Sequence, residues 1–154
     1  MVGYVLLIAI AIALATAVFF YLKLYLPNET SQCDSNIKLT IDEVNCKLSS
    51  TQSTIEINIS NRGFFKVEGA YIKIGEFDRT YRQNLNDFED GFSLSECNRD
   101  ATSILNPNEK FCRTYHLDSR LTADQEISVQ PVVWINNKPV LCSNAVVSKR
   151  LDCT

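Results

Sequence analysis

The sequence predicts an α+β protein: a long N-terminal hydrophobic helix followed by an immunoglobulin-like antiparallel β-sandwich. Residues 1–26 are almost entirely apolar and carry no charge before Lys23. The remainder alternates apolar and polar residues with a period of two, which is typical of strands with one buried face. Turn residues separate these runs, and no long amphipathic helix pattern lies among them. We therefore divide the chain into a helix over 1–26, a linker over 27–35 and a β-sandwich domain over 36–154.

The N-terminal segment is long enough to cross a membrane. A helix from Val2 to Leu26 would be about 37 Å long, whereas a bilayer's hydrocarbon core is about 30 Å thick. An ordinary secretory signal is not indicated, because nothing basic precedes Val2. The tripeptide Ala15-Thr16-Ala17 has the spacing of a cleavage site, but cleavage there would leave an apolar stub on the mature protein. The segment is predicted to remain in a membrane or in equally apolar surroundings.

Small residues line one face of the predicted helix. Ala9, Ala13 and Ala17 follow one another at a four-residue spacing, and small residues at this spacing let helix backbones approach closely in apolar surroundings. A helix that is apolar all round must also be buried on every side. These features favour helix packing in an assembly over a simple anchor, which remains the alternative. Pro27 is expected to end the helix at the boundary with water.

The domain is predicted from apolar alternation and turn chemistry. Turn residues occur at 61–63, 106–108 and 136–139. The segment 77–98 breaks the alternation, so we expect a long irregular insertion there and a place for subunit contacts. The alternating apolar positions are Ile37, Leu39, Ile41, Ile55, Ile57, Ile59, Val67, Ala70, Ile72, Ile74, Ile127, Val129, Val132 and Val146.

Two features indicate that the domain lies outside the cell. Six cysteines in a small domain are typical of disulfides formed in an oxidising compartment, and two N-glycosylation sequons begin at Asn28 and Asn58. Lys23, however, lies on the domain side of the helix, and the positive-inside rule would hold that side in the cytoplasm. The contradiction disappears if a short basic leader preceded Met1 and was removed. We therefore expect glycans on Asn28 and Asn58.

Six cysteines allow fifteen pairings. The first and last strands of immunoglobulin-like sandwiches often run parallel, and Val44-Asn45-Cys46 resembles Leu151-Asp152-Cys153. If these strands lie side by side, the cysteines of each end are neighbours. Sequential pairing is disfavoured, since an extended strand from Ala145 to Asp152 would carry the last two cysteines more than about 20 Å apart. The favoured disulfides are Cys33 with Cys142, Cys46 with Cys153, and Cys97 with Cys112.

No catalytic or ligand-binding constellation emerges from the sequence. His116 is the only histidine and lies in a strand pattern, so a Ser/His/Asp or Cys/His site would depend on it alone. The acidic residues Asp87, Glu89 and Asp90 lack the spacing of a calcium loop and indicate a solvated turn. The cysteines lack metal-site spacing, and the net charge of −3 offers no basic face for nucleic acid. We expect no enzyme activity, cofactor, metal or nucleic-acid partner.

Two stretches carry a family resemblance. Residues 2–14, VGYVLLIAIAIAL, resemble the start of archaeal type IV pilins and archaellins. Residues 57–63 followed by 69–73 are similar to a strand, turn and strand phrase found in the β-domains of such filament subunits. Bacterial pilins usually carry Glu at the fifth mature position, whereas this chain has Val5 if Met1 is the mature start. The resemblance therefore favours the archaeal branch.

The resemblance implies a structural subunit of an archaeal extracellular filament, used for adhesion or motility. Such a subunit is inserted in the membrane, processed by a prepilin peptidase, and assembled by an ATPase and a platform protein. It then polymerises through its helix into a helical homopolymer of identical subunits on the cell surface. The alternative is a minor pilin, or a single-pass membrane-anchored surface protein whose sandwich binds a ligand or another cell.

Overall fold

The structure is a computed structural model that describes residues 2–25, 33–77, 82–97, 102–121 and 124–153. It divides the chain into two compact units, Met1–Thr30 and Ser31–Thr154. The first unit contains one helix, and every described strand belongs to the second.

The helix α1 spans Val2–Tyr25, 24 residues and therefore about 36 Å. Its stretch Gly3–Tyr21 is long and apolar enough to cross a membrane, and its described side chains are exposed. The hydroxyl of Thr16 donates to the carbonyl oxygens of Ile12 at 3.0 Å and Ala13 at 2.9 Å. This polar group is thus satisfied within the helix, as an apolar environment requires. The predicted helix end at Pro27 lies outside the described residues.

The described part of the second unit contains eight strands and two short 3₁₀ turns. The turns are Phe88–Asp90 and Ser143–Ala145. The strands are β1 Leu39–Leu48, β2 Ser53–Asn61, β3 Gly69–Glu76, β4 Gln83–Asn84, β5 Lys110–Leu117, β6 Gln125–Ile135, β7 Lys138–Leu141 and β8 Val147–Arg150.

The strands form two antiparallel sheets. One has the order β1-β2-β5, and the other has the order β4-β3-β6, with β7 and β8 both pairing with β6. One cluster of buried side chains draws on both sheets, for example Ile57 of β2, Ile72 of β3 and Val129 of β6. The two sheets therefore share a core, and the predicted antiparallel β-sandwich is confirmed. Its immunoglobulin-like topology stays a prediction.

Alternation holds best in the central strand of the first sheet. Ile55, Ile57 and Ile59 of β2 are fully buried, while the residues between them are half-buried. Strand β2 lies between β1 and β5, so both of its edges are covered by strands. Its side chains therefore point either into the core or towards solvent, in alternation. The period of two in the sequence therefore locates this strand and its buried face.

The C-terminal strand differs from the prediction. A strand over 145–152 with Val146 facing the core was expected, but the turn Ser143–Ala145 precedes a shorter β8, and the side chain of Val146 is 45% exposed. Val147 is half-buried against the core instead. The turn shifts the alternation by one residue, which exchanges the two faces of the strand.

Residues 83–86, part of the segment predicted as an irregular insertion, lie along the edge of β3. The backbone of β4 pairs with Lys73 and Ile74. Beyond it, the carboxamide of Asn86 accepts from the Ile72 amide and donates to the Ala70 carbonyl, both at 2.7 Å. The Asn86 side chain thus supplies the donor and acceptor that a neighbouring strand would otherwise provide.

Three disulfides close the sandwich. Their Cα–Cα distances are 4.5–5.2 Å, and they are the pairs that the sequence argument favours: Cys33–Cys142, Cys46–Cys153 and Cys97–Cys112. Cys46 and Cys153 also form an isolated parallel bridge, so the end of β1 runs alongside the C-terminal segment in the same direction. This is the arrangement from which the pairing was predicted.

Candidate functional site

The helix offers one candidate contact surface. Ala9, Ala13 and Ala17 lie on the same helical face and are exposed. Because alanine carries only a methyl group, these three positions form a shallow stripe along the helix. The backbone of a neighbouring helix could approach closely there. The rest of the described helix surface is apolar apart from the hydroxyl groups of Tyr4, Thr16 and Tyr21, which suits both lipid and a bundle of like helices.

The residues weighed for chemistry do not form a reactive site. His116 is exposed on β5, and its Nδ1 atom lies 3.3 Å from the hydroxyl of Thr54. The carboxylate of Asp87 accepts from the Glu89 amide at 3.5 Å and caps the Phe88–Asp90 turn. Among the described residues, no group of three or more His, Cys, Asp or Glu side chains could hold a metal ion.

A polar groove of about 360 Å³ crosses the outer face of the second sheet, between β3, β4, β6 and β8. Its two cations already have partners. Lys73 Nζ donates to Gln130 Oε1 at 3.0 Å, and Arg82 forms a salt bridge with Glu126. Burial raises the pKa of the Glu126 carboxyl, but hydrogen bonds from Ser148 and Arg82 outweigh it and hold that pKa below its usual range. The groove therefore stabilises its own charges.

One end of the sandwich receives the chain from the N-terminal unit. The described part of the domain begins at Cys33, which is buried and bonded to Cys142. At this end β1 begins, with Leu39 opposite Asn61, and β3 begins, with Gly69 opposite Val132. The loop 62–68 and the β6–β7 hairpin lie at the same end. We call it the entry end.

Five large apolar side chains are exposed at the entry end. They lie in the loop 62–68 and in the β6–β7 hairpin, and Phe64 is 81% exposed and Trp134 49%. The hairpin turns at Asn136 and Asn137. Both have positive φ, as the two central residues of a type I′ turn require. The backbone amide of Trp134 donates to Glu68 Oε2 at 2.6 Å, which ties the hairpin to the loop. We call this set the aromatic rim: Phe64, Phe65, Trp134, Ile135 and Leu141.

Sequence reasoning missed the aromatic rim. Phe64 and Phe65 follow the recognised turn at 61–63, and two adjacent aromatic residues outside any alternating run were the available signal. Trp134 and Ile135 continue an apolar run whose inner part, including Val132, is fully buried. Only the register of β6 against β7 shows that the last two residues pass beyond the core.

The two sequons have different positions. Asn28 lies outside the described residues. Asn58 lies in β2 on the side away from the core, with its Nδ2 atom 3.4 Å from Glu43 Oε2. The sequon's Ser60 is buried, and its hydroxyl donates to the Asp42 carboxylate. Glycosylation of both asparagines stays a prediction, which the intact mass of the native chain would test.

No protein-family model and no curated protein matches the chain. Among solved structures, the archaellum periplasmic stator protein FlaG from Sulfolobus acidocaldarius is 18% identical; the match covers 74% of this chain and 98% of that one, with a TM-score of 0.44. The complex of the stator proteins FlaF and FlaG from the same organism is 16% identical, covering 80% and 95%, with a TM-score of 0.42. Both are named as stator proteins, not as pilins or archaellins. At these TM-scores the likeness carries no role over to this chain.

Proposed function

We propose that the chain is a single-pass membrane-anchored protein whose β-sandwich binds a partner outside the cytoplasm. The observation that carries the proposal is that the chain consists of two units suited to different surroundings, one to lipid and one to water. One is a 24-residue apolar helix, and the other is a disulfide-closed domain with its own core. The helix satisfies the length and polarity requirements of a membrane span.

The disulfides support an extracytoplasmic domain. All six cysteines are paired, and such bonds persist in oxidising compartments and are rare in the cytosol. Two of the bridges connect residues more than 100 positions apart, so they constrain nearly the whole domain. We also infer an immunoglobulin-like topology, because the first, second and fifth strands share one sheet and the third, sixth and eighth share the other.

A filament subunit is the second candidate, and one observation favours it. The exposed small-residue face of Ala9, Ala13 and Ala17 would allow close packing between identical helices. In that role the helix leaves the membrane and forms the core of a homopolymer, with the domain on the outside. A membrane anchor requires only that the helix is apolar. A filament core also requires the small-residue face, because neighbouring helices pack against it.

This difference defines the experiment. Ala13→Leu keeps the helix apolar but fills the small-residue face at its middle. Ala13→Asp introduces a charge costing about 2.5–3.5 kcal/mol on insertion. For an anchored protein, Ala13→Leu stays in the membrane fraction after alkaline extraction as the native chain does, and only Ala13→Asp is lost from it.

The filament subunit is tested in the same cells that express the native chain and the Ala13 variants. Material sheared from the cell surface is separated from the membranes, and the chain is quantified in both fractions. Abundant native chain in sheared filaments, abolished by Ala13→Leu, would overturn the anchor proposal in favour of the filament subunit. Crosslinking of the anchored domain in intact cells, followed by mass spectrometry, then identifies its partner.

A further inference from the structure

We propose that the aromatic rim docks the entry end of the sandwich onto the membrane surface, so that the domain rests at the lipid interface. The inference rests on the proposed anchor function and adds a second, reversible membrane contact to it. Its occupant is the lipid headgroup and upper acyl region. The argument combines the reach of the connection with the chemistry of the rim.

The connection to the helix is short. Positions 26–32 separate Tyr25, the last residue of α1, from Cys33, so a fully extended connection between their Cα atoms could span at most about 29 Å. Cys33 is fixed to the entry end by its bond to Cys142 and by a hydrogen bond from Asn144 Nδ2 to the Cys33 carbonyl at 2.9 Å. An anchored chain therefore holds this end of the domain close to the membrane whatever the direction of the connection.

The rim has the composition of a membrane-interface contact. Phe64, Phe65 and Trp134 combine large apolar rings with one indole N–H, and aromatic side chains of this kind are enriched where a protein meets the headgroup region. Two basic side chains, Arg62 and Lys66, flank the phenylalanines in the same loop; each is about half exposed, and they form salt bridges with Asp42 at 3.8 Å and Glu68 at 3.1 Å. Long basic side chains can extend towards headgroups while neighbouring rings enter the apolar layer.

The rim is also held in a fixed shape. Asn61 Nδ2 donates to the Phe65 carbonyl at 2.9 Å, and the Phe64 amide donates to the Asn36 carbonyl at 3.1 Å. On the hairpin side, the bond from the Trp134 amide to Glu68 joins the two parts of the rim. Rigid, preorganised apolar residues lose little conformational entropy on contact, which favours even a weak interfacial interaction. Tethering then multiplies that interaction through the effective concentration.

Trp134 is the only tryptophan in the chain, so its fluorescence reports on the rim directly. The full chain is reconstituted into phosphatidylcholine vesicles, either plain or brominated in the upper acyl chain. We expect a blue-shifted Trp134 emission in plain vesicles and a loss of emission in brominated ones. The double variant Phe64→Ser with Phe65→Ser should reduce the quenching. Phe77→Ser, an exposed aromatic residue after β3 at the opposite end, should leave it unchanged.

Each outcome decides between occupants. Equal Trp134 emission in plain and brominated vesicles, with the chain retained in them, overturns the docking proposal and leaves the anchor proposal standing. Failure of the chain to remain with vesicles after alkaline washing overturns the anchor itself. Emission that changes with protein-to-lipid ratio in plain vesicles, without bromine quenching, assigns the rim to a second copy and overturns lipid docking. Thermal unfolding of each variant establishes that the domain is folded.

Discussion

A single buried carboxamide organises the turn after β2. Asn61 Nδ2 donates to the carbonyls of Phe65 and Leu105, each at 2.9 Å, and its oxygen accepts from the Gly63 amide at 2.9 Å. Glycine is required at position 63, since a Cβ there would lie 2.4 Å from the Asn36 carbonyl oxygen. The sequence predicted a turn at 61–63 from residue types alone, but the network that holds it involves Leu105, 44 positions away.

Replacing Asn61 by Ala should destabilise the domain strongly. The substitution removes the side-chain partner of the Phe65 carbonyl and of the Gly63 amide, at about 1–3 kcal/mol for a buried unsatisfied group, while the Leu105 carbonyl keeps the Val67 amide as a donor. We expect the free energy of unfolding to fall by about 2–4 kcal/mol in chemical denaturation. Asn45→Ala, on the exposed side of β1, is the matched control and should change it by less than about 0.5 kcal/mol. Equal effects of the two substitutions would contradict the role of the network.

Tyr115 presents the opposite case. Its hydroxyl is buried and has no hydrogen-bond partner among the described residues, and burial raises the pKa of Tyr115 to about 12 from an ordinary value of 10.0. The folded protein therefore disfavours the tyrosinate. The stability that this group contributes is complete below about pH 10, where the unfolded chain also keeps its proton. It is lost as the pH rises from about 10 to about 12.

Tyr115→Phe should consequently be neutral or stabilising at pH 7, because it removes an unsatisfied polar group without leaving a cavity. It should also remove part of the alkaline loss of stability, amounting to about 2–3 kcal/mol between pH 10 and pH 12. Denaturant titrations of both proteins across this range make the measurement. A substantially less stable Phe variant at pH 7 would show that the hydroxyl has a partner.

At the scale of elements, Asn86 covers the edge of β3 beyond the two-residue β4. An unpaired strand edge invites pairing with another chain, and a side chain that copies a strand's donor and acceptor closes it. Asn86→Ala should therefore cost about 1–2 kcal/mol and speed hydrogen exchange at the Ile72 amide, which donates to Asn86. Asn84→Ala, in the exposed β4, is the control. Unchanged exchange at Ile72 would exclude this capping role.

The elements differ in how far the sequence predicts them. Alternation located β2, because both of its neighbours are strands and its two faces have different surroundings. It failed at Val146, where a 3₁₀ turn shifts the phase. In β6 the predicted core residues Ile127, Val129 and Val132 are buried, but alternation did not show that this strand is covered on its other face as well. Asn86 and the aromatic rim depend on register between distant strands. A local stretch of sequence does not show how far a neighbouring strand extends, and therefore which side chains stay exposed.

At the scale of the molecule, the two long disulfides support each other. With Cys33–Cys142 intact, Cys46 and Cys153 are still connected by 13 residues on one side and 11 on the other, about 24 in all, rather than by the full separation of 107. In the chain-entropy model, removing either long bridge alone costs about 3.5 kcal/mol, whereas removing both costs about 8 kcal/mol. The coupling arises because whichever long bridge forms first closes the long loop, and the other bridge then closes only about 24 residues.

This predicts non-additive variants. Replacing both cysteines of one long bridge by alanine should cost about 3.5 kcal/mol, and replacing all four should cost about 1 kcal/mol more than twice that value. Cys97–Cys112 closes a loop of only 15 positions, so its removal from the native chain should cost about 3 kcal/mol. Denaturation of the five proteins gives the values. Strict additivity of the long bridges would mean that strain or packing, rather than loop closure, dominates their contribution.

The bond between Cys33 and Cys142 also determines how the domain bears tension. A pull between Cys33 and Cys153 has two covalent paths, one through the Cys33–Cys142 bond and residues 142–153, and one through residues 33–46 and the Cys46–Cys153 bond, so the chain between Cys46 and Cys142 is bypassed. Stretched between Cys33 and Cys153, the oxidised domain can lengthen only until the 11 residues from Cys142 to Cys153 are fully extended, when their ends are about 37 Å apart. Single-molecule pulling should show this limit until a reductant is added, after which the whole domain extends. The oxidised domain therefore keeps most of its fold under a pull that would unravel the reduced domain completely.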